Sequence, residues 1–110
     1  MSQTNSLFCP LLEVTSSLNR KWSFQIIYEI GNHKIIRFGV LQDELNWITP
    51  KVLSDTLTKL EDENLVSKKL YQEIPPRVEY RLTKDGLSLY PIIVNLLEWS
   101  ISRKNMTVKQ

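Results

Sequence analysis

Two amphipathic segments stand so close together in this chain that they cannot form one straight rod. The first, RFGVLQDELN (37–46), places Phe38, Leu41 and Leu45 on one side and Gln42, Asp43 and Glu44 largely on the other, which predicts a helix of about three turns. The second, ITPKVLSDTLTKLEDENL (48–65), opens on the best helix start in the sequence. Thr49 is a good N-cap, and Pro50 takes the first helical position, where its missing N–H costs nothing. Leu53, Leu57 and Leu60 then form a stripe to be buried, leaving Lys51, Ser54, Asp55, Thr58 and Lys59 toward water or a partner. Only Trp47 to Thr49 separate the two segments, so the helices must cross at a steep angle, which is helix-turn-helix geometry.

The flanking segments extend this unit. Ahead of it, WSFQIIYEI spaces Trp22, Ile26, Ile27 and Ile30 by three or four and reads as a helix stopping at Gly31-Asn32, preceded by a shorter helix in CPLLEVTSSL through Leu11, Leu12, Val14 and Leu18. KIIR (34–37) is a short β-branched run suited to one strand. After residue 65 the period changes: LVSKKLY has some strand character, and VEYRL alternates Val78, Tyr80 and Leu82 against Glu79 and Arg81, so the two predict a hairpin. Its loop, QEIPPR, is stiffened by Pro75 and Pro76, which lowers the entropy lost when the loop docks on something. Arg77 is then either the basic point of a wing, with Lys68 and Lys69 on the hairpin, or a surface ion-pair partner of Glu73 or Glu79. Thr83 caps a last helix through KDGLSLYPIIVNLLEWSIS, bent but not ended by Pro91. This helix has too many apolar positions for one stripe, and its second side packs most economically on another copy of the chain, giving an isologous homodimer.

Composition narrows the function classes. The 110 residues suit a single domain over 1–110, with its core at about 9–100. Within SRKNMTVKQ, residues 103–110 read as a basic flexible tail that adds nonspecific attraction to phosphates, or as a solvated terminus. A net charge of +2 does not by itself announce nucleic acid. One cysteine, Cys9, and one histidine, His33, give no Cys/His cluster with zinc-ligand spacing, so neither a metal nor any other cofactor is expected, and His33 reads as a surface turn residue. Absence of a membrane-length apolar run and of a secretory signal predicts a cytoplasmic protein with no membrane partner. Asp43 with Glu44, and Glu61 with Asp62 and Glu63, lack a nucleophile or metal beside them and read as solvated faces, so no enzyme is expected. Trp22, Trp47 and Trp99 read as core or interface aromatics rather than a ligand cage.

Helix, helix, short turn, helix, hairpin, long helix is the order of a winged helix-turn-helix: mainly α with a small β-hairpin. A major groove admits one α-helix, and a hairpin beside that helix can lay basic side chains along the backbone or in the adjacent minor groove. Double-stranded DNA is therefore the expected partner. The alternative is a winged-helix module that binds protein without specific DNA binding, suggested by the near-neutral charge, Asp55 and the acid cluster at 61–63.

The segments CPLLEVTSSLNRKWSFQIIYEI, RFGVLQDEL, ITPKVLSDTLTKLEDENLV and EIPPRVEYRLTKDGLSLYPIIVNLLEWS resemble the HxlR-type winged helix-turn-helix transcriptional regulators of bacteria, over about Cys9 to Ser100. The Cys-Pro start, the Lys-Trp pair, the Arg-Phe pair, the Pro-Pro-Arg-Val-Glu-Tyr wing and Leu-Thr-x-x-Gly are specific in combination rather than singly. The resemblance implies a homodimeric regulator, a repressor in the first instance, on a pseudo-palindromic operator. It places Thr49, Lys51, Ser54, Asp55 and Lys59 on the recognition helix and Lys68, Lys69 and Arg77 on the wing. The first and last helices then meet at a dimer interface through Leu11, Leu12, Tyr90, Val94, Leu97 and Ile101. It also implies that a cysteine at the position of Cys9 senses oxidants or electrophiles in some members, against the alternative that Cys9 is an inert apolar anchor. A small-molecule or oxidant effector is thus an expected partner. Asn19-Arg20 replaces the usual glycine-containing turn, and Asp55 stands where relatives often carry a long polar residue, so operator sequence is not inherited from relatives.

Overall fold

The structure, a computed structural model, describes residues 22–109, with side chains through Lys104. The helix expected from Cys9, with Leu11 and Leu12, lies outside the described residues. Helix α1 (Ser23–His33) leads into strand β1 (Ile35–Arg37), helix α2 (Phe38–Glu44), helix α3 (Pro50–Asp62), strands β2 (Val66–Tyr71) and β3 (Arg77–Leu82), and helix α4 (Lys84–Lys109). The three strands form one antiparallel sheet in the order β1-β3-β2, with Ile36 opposite Tyr80 and Val66 opposite Leu82. The fold is a winged helix-turn-helix, mainly helical with one small sheet. Among the described residues no helix is long and apolar enough to cross a membrane.

One core joins these elements. Ile26, Ile27 and Ile30 of α1, Leu41 and Leu45 around α2, Leu53, Leu57 and Leu60 of α3, and Ile36, Val66, Tyr80 and Leu82 of the sheet are all buried. The spacings of three and four on the helices and of two on β3 thus bury the faces that their periods predict.

Three boundaries differ from the sequence reading. Helix α1 does not stop at Gly31; it runs to His33 and ends at Lys34, whose φ of 70° leaves the helical region. Gly31 serves close approach instead, because a Cβ there would lie 2.3 Å from Tyr90 Cδ1 of α4. Helix α2 has 7 residues rather than about three turns, since Ile48 folds back onto Leu45, donating its N–H at 3.0 Å. The basic stretch from Arg103 is not an unfolded tail: α4 continues to Lys109. That stretch holds neither Pro nor Gly to interrupt a helix.

Thr83 does cap α4, its Oγ1 accepting from Gly86 N at 3.1 Å. Gly86 is packed so closely that a Cβ would meet Leu65 O at 2.2 Å. Pro91 lies inside the helix, which continues through it.

Candidate nucleic-acid interface

The turn between α2 and α3 is tightly specified. Gln42 Nε2 donates to Ile48 O at 2.6 Å, and Leu41, Leu45 and Ile48 are buried beneath it. Thr49 Oγ1 accepts from Val52 N at 3.2 Å, so the expected N-cap is made. At the other end α3 closes in a Schellman motif: Leu65 N donates to Leu60 O at 2.9 Å and Asn64 N to Glu61 O at 2.9 Å, with Asn64 left-handed at φ 63°. Asn64 O in turn accepts from Thr83 Oγ1, and Leu65 O from Thr83 N at 3.0 Å. The end of α3 is thereby tied to the start of α4.

Between these ends α3 leaves Lys51, Ser54, Asp55, Thr58 and Lys59 exposed, and also Val52, an apolar side chain of a size that suits a thymine methyl. Sequence reasoning missed Val52 because its interest comes from exposure rather than polarity. The polar groups are not equally available. Thr58 Oγ1 donates to Ser54 O at 3.1 Å, and Thr56 Oγ1, which is buried, to Val52 O at 2.7 Å. Lys51 Nζ lies 3.7 Å from Asp55 Oδ2, a solvent-screened pair one helical turn apart. Helix α3 packs against β2, an edge strand of the sheet, which sets the hairpin beside it.

On the hairpin the expected basic residues divide. Lys68 and Lys69 are both exposed but point to opposite sides of the sheet, since side chains alternate along a strand. Lys69 faces outward opposite Glu79, with its Nζ 4.9 Å from the Tyr71 ring centroid, whereas Lys68 stands opposite the core residue Tyr80. Arg77 does not stand at the tip. It begins β3, its NH1 donates to both Glu73 oxygens at 3.0 and 2.9 Å, and its guanidinium lies 3.9 Å from the Tyr71 ring centroid. Its Nε, 3.1 Å from Glu79 Oε2, forms an ion pair there but no hydrogen bond. Both alternatives for ion pairing are realised at once, because the loop folds Glu73 back over the strand that carries Glu79. The tip itself is Ile74, fully exposed, beside Pro75 and Pro76.

The residues expected at a dimer interface also divide. Tyr90 is half-buried within the protomer: its ring lies over Gly31, stacks with Tyr28 at 6.0 Å between centroids, and its hydroxyl donates to Asn32 Oδ1. Val94 is half-buried on the same side, while Leu97 and Ile101 are exposed. Ile93 is the inward anchor, and from Asn95 to Lys104 every residue is exposed. Ile92, Leu96 and Trp99 follow one another at helical spacing as an uncovered apolar stripe, with Arg103 stacked 5.0 Å from the Trp99 ring centroid. A groove of about 320 Å³ runs between α1, the turn and α4, lined by Phe24, Tyr28, Trp47, Ile93 and Leu97 among others. Of the three tryptophans, Trp22 packs against the core, whereas Trp47 and Trp99 are exposed. Cys9 lies outside the described residues.

The profile of the HxlR-like helix-turn-helix family matches residues 17–107. BH0655 of Halalkalibacterium halodurans, an HTH-type transcriptional regulator whose own role is uncharacterized, is 40% identical over 90 residues, spanning 82% of this chain and 80% of that protein. Among solved structures, a protein of Porphyromonas gingivalis described as a transcriptional regulator of the MarR family superposes with a TM-score of 0.79 at 38% identity, covering 84% of this chain and 90% of that one. The redox regulator HypR in its reduced form superposes with a TM-score of 0.82 at 28% identity, covering 92% and 99%.

Proposed function

Given that the chain belongs to the HxlR-like helix-turn-helix family of transcriptional regulators, we propose that it is a homodimeric repressor that reads a pseudo-palindromic operator with α3 and touches the flanking backbone with the β2–β3 wing. The observation that carries this reading is the exposed face of α3, pinned at one end by the Gln42–Ile48 contact and at the other by the Asn64 motif, with a stiff hairpin beside it. A helix held this rigidly presents Lys51, Val52, Ser54 and Asp55 to base edges at little ordering cost. Thr49 and Lys59 lie at its two ends, within the same surface. Lys68 and Lys69 supply the wing's phosphate contacts. Arg77 organises the loop through Glu73 and Tyr71, and reaches DNA only by exchanging a carboxylate for a phosphate.

Dimerisation is supported by the exposed stripe of Ile92, Leu96 and Trp99, with Leu97 and Ile101 beside it, on a helix whose residues from Asn95 to Lys104 are all exposed. The groove along α1 and α4 suits an apolar effector. The likeness to a redox regulator supports Cys9 as the oxidant-sensing thiol. A gel shift on the DNA flanking the protein's own gene, with competitor DNA and before and after diamide, tests the reading. Competitor-resistant binding is expected, lost on oxidation in the wild type and retained in Cys9→Ser. Binding that competitor abolishes overturns the regulator reading.

A second reading, a protein-binding winged helix, is favoured by one observation: Lys51 is paired with Asp55, and the cations Lys51 and Lys59 of α3 are outnumbered by Asp55, Glu61 and Asp62. Salt separates the two, since DNA binding weakens steeply as phosphate counterions are released.

A further inference from the structure

Among the described residues, Glu29, His33 and Glu44 form a cluster of groups that could hold a metal ion, and none of the three belongs to α3. Glu29 and His33 lie one helical turn apart at the end of α1, and Glu44 is the last residue of α2. His33 Nε2 lies 3.9 Å from Glu29 Oε1 and 3.9 Å from Glu44 Oε1, and the three ligand atoms all lie within 4.8 Å of one another. The sequence sets metal aside because His33 has no cysteine or second histidine at ligand spacing, but Glu29 stands one helical turn before it and the chain reversal through β1 brings Glu44 beside it.

A simple ion pair leaves this arrangement underused. The separations of 3.9 Å are longer than a charge-assisted hydrogen bond, and no hydrogen bond joins the three groups. Two helices also end here, so their C-terminal dipole ends add negative potential to the two carboxylates. With the imidazole neutral, the site offers one nitrogen, two oxygens and two negative charges, a match for a divalent ion. Ligands around zinc, each about 2.1 Å from it, stand roughly 3.4 Å apart. Closing to that distance takes about 0.5 to 1.4 Å, within reach of rotations by side chains as open as His33 and Glu44. Magnesium and calcium prefer all-oxygen sites, so the imidazole selects the zinc class.

We propose that Glu29, His33 and Glu44 bind a divalent transition-metal ion of the zinc class, with water completing the coordination. The ion fastens the end of α1 to the end of α2, the helix that leads into the recognition turn. The site needs no DNA and is tested without it.

The experiment is calorimetric titration of zinc into the full-length Cys9→Ser protein, which removes the thiol as a competing ligand, together with thermal unfolding. The expected result is one saturable site, a zinc-dependent rise in Tm, and at least about tenfold weaker binding in both His33→Ala and Glu44→Gln. Excess magnesium should leave the zinc site filled. The proposal is overturned if Cys9→Ser protein binds no zinc, if either variant binds as tightly as its parent, or if magnesium displaces the ion.

Discussion

At Gly31 two opposing effects can be weighed by size. Alanine in place of a helix-interior glycine ordinarily gains about 0.5–1 kcal/mol. Here the added methyl would sit 2.3 Å from a Tyr90 ring atom, and that ring cannot swing freely because it is stacked on Tyr28 and bonded to Asn32. Overpacking of this kind costs about 1–3 kcal/mol, so Gly31→Ala should lower stability in chemical denaturation. In a Tyr90→Leu background the same change should be close to neutral. Tyr80 gives a pH-dependent counterpart. Burial, reinforced by the nearby Glu61, raises its hydroxyl pKa above the usual 10.0. Both states carry the proton below that value; above it the unfolded chain ionises first, binds fewer protons than the native state, and stability falls as pH rises. Unfolding midpoints measured from pH 8 upward should therefore decline less steeply in Tyr80→Phe than in the wild type.

Elements are held by few but specific contacts. Asn64, left-handed at the end of α3, tolerates that conformation far better than a β-branched residue would. Asn64→Gly should therefore unfold near the wild-type midpoint, while Asn64→Val should lose about 1–2 kcal/mol. Removing the Gln42 amide frees Ile48 O and should cost about 1 kcal/mol in Gln42→Ala, read by the same denaturation. Much of this level was legible in the chain. Thr49-Pro50 marks a helix start by local chemistry, and Val78, Tyr80 and Leu82 declare their face by period alone. What local pattern cannot show is a contact made across the fold. Gly31 looked like a helix stop because the ring that fills its space lies 59 residues later. For Arg77 the sequence leaves open a wing point or an ion pair with Glu73 or Glu79, because which of these forms depends on how the loop folds back.

Across the whole molecule, the apolar side of α4 is the longest exposed apolar run on one helix among the described residues. The second apolar face was readable from residue counts, but not its direction: Tyr90 and Val94 turn inward, leaving Ile92, Leu96 and Trp99 outside. Leu96→Glu should shift sedimentation-equilibrium mass from dimer to monomer while leaving the circular dichroism of the protomer intact. A result of unchanged mass would remove α4 from the interface. Helix α3 as base reader and the hairpin as backbone clamp are tested most directly by salt-dependent affinity for operator and for unrelated DNA, measured by fluorescence anisotropy on three proteins. In Ser54→Ala/Asp55→Ala, operator binding should weaken by about 1–3 kcal/mol with unrelated DNA little affected. In Lys68→Ala/Lys69→Ala, both DNAs should be bound more weakly and with a salt slope shallower by about 2. Equal affinity of the wild type for operator and unrelated DNA, or equal losses on both DNAs in the α3 variant, would contradict sequence reading by α3.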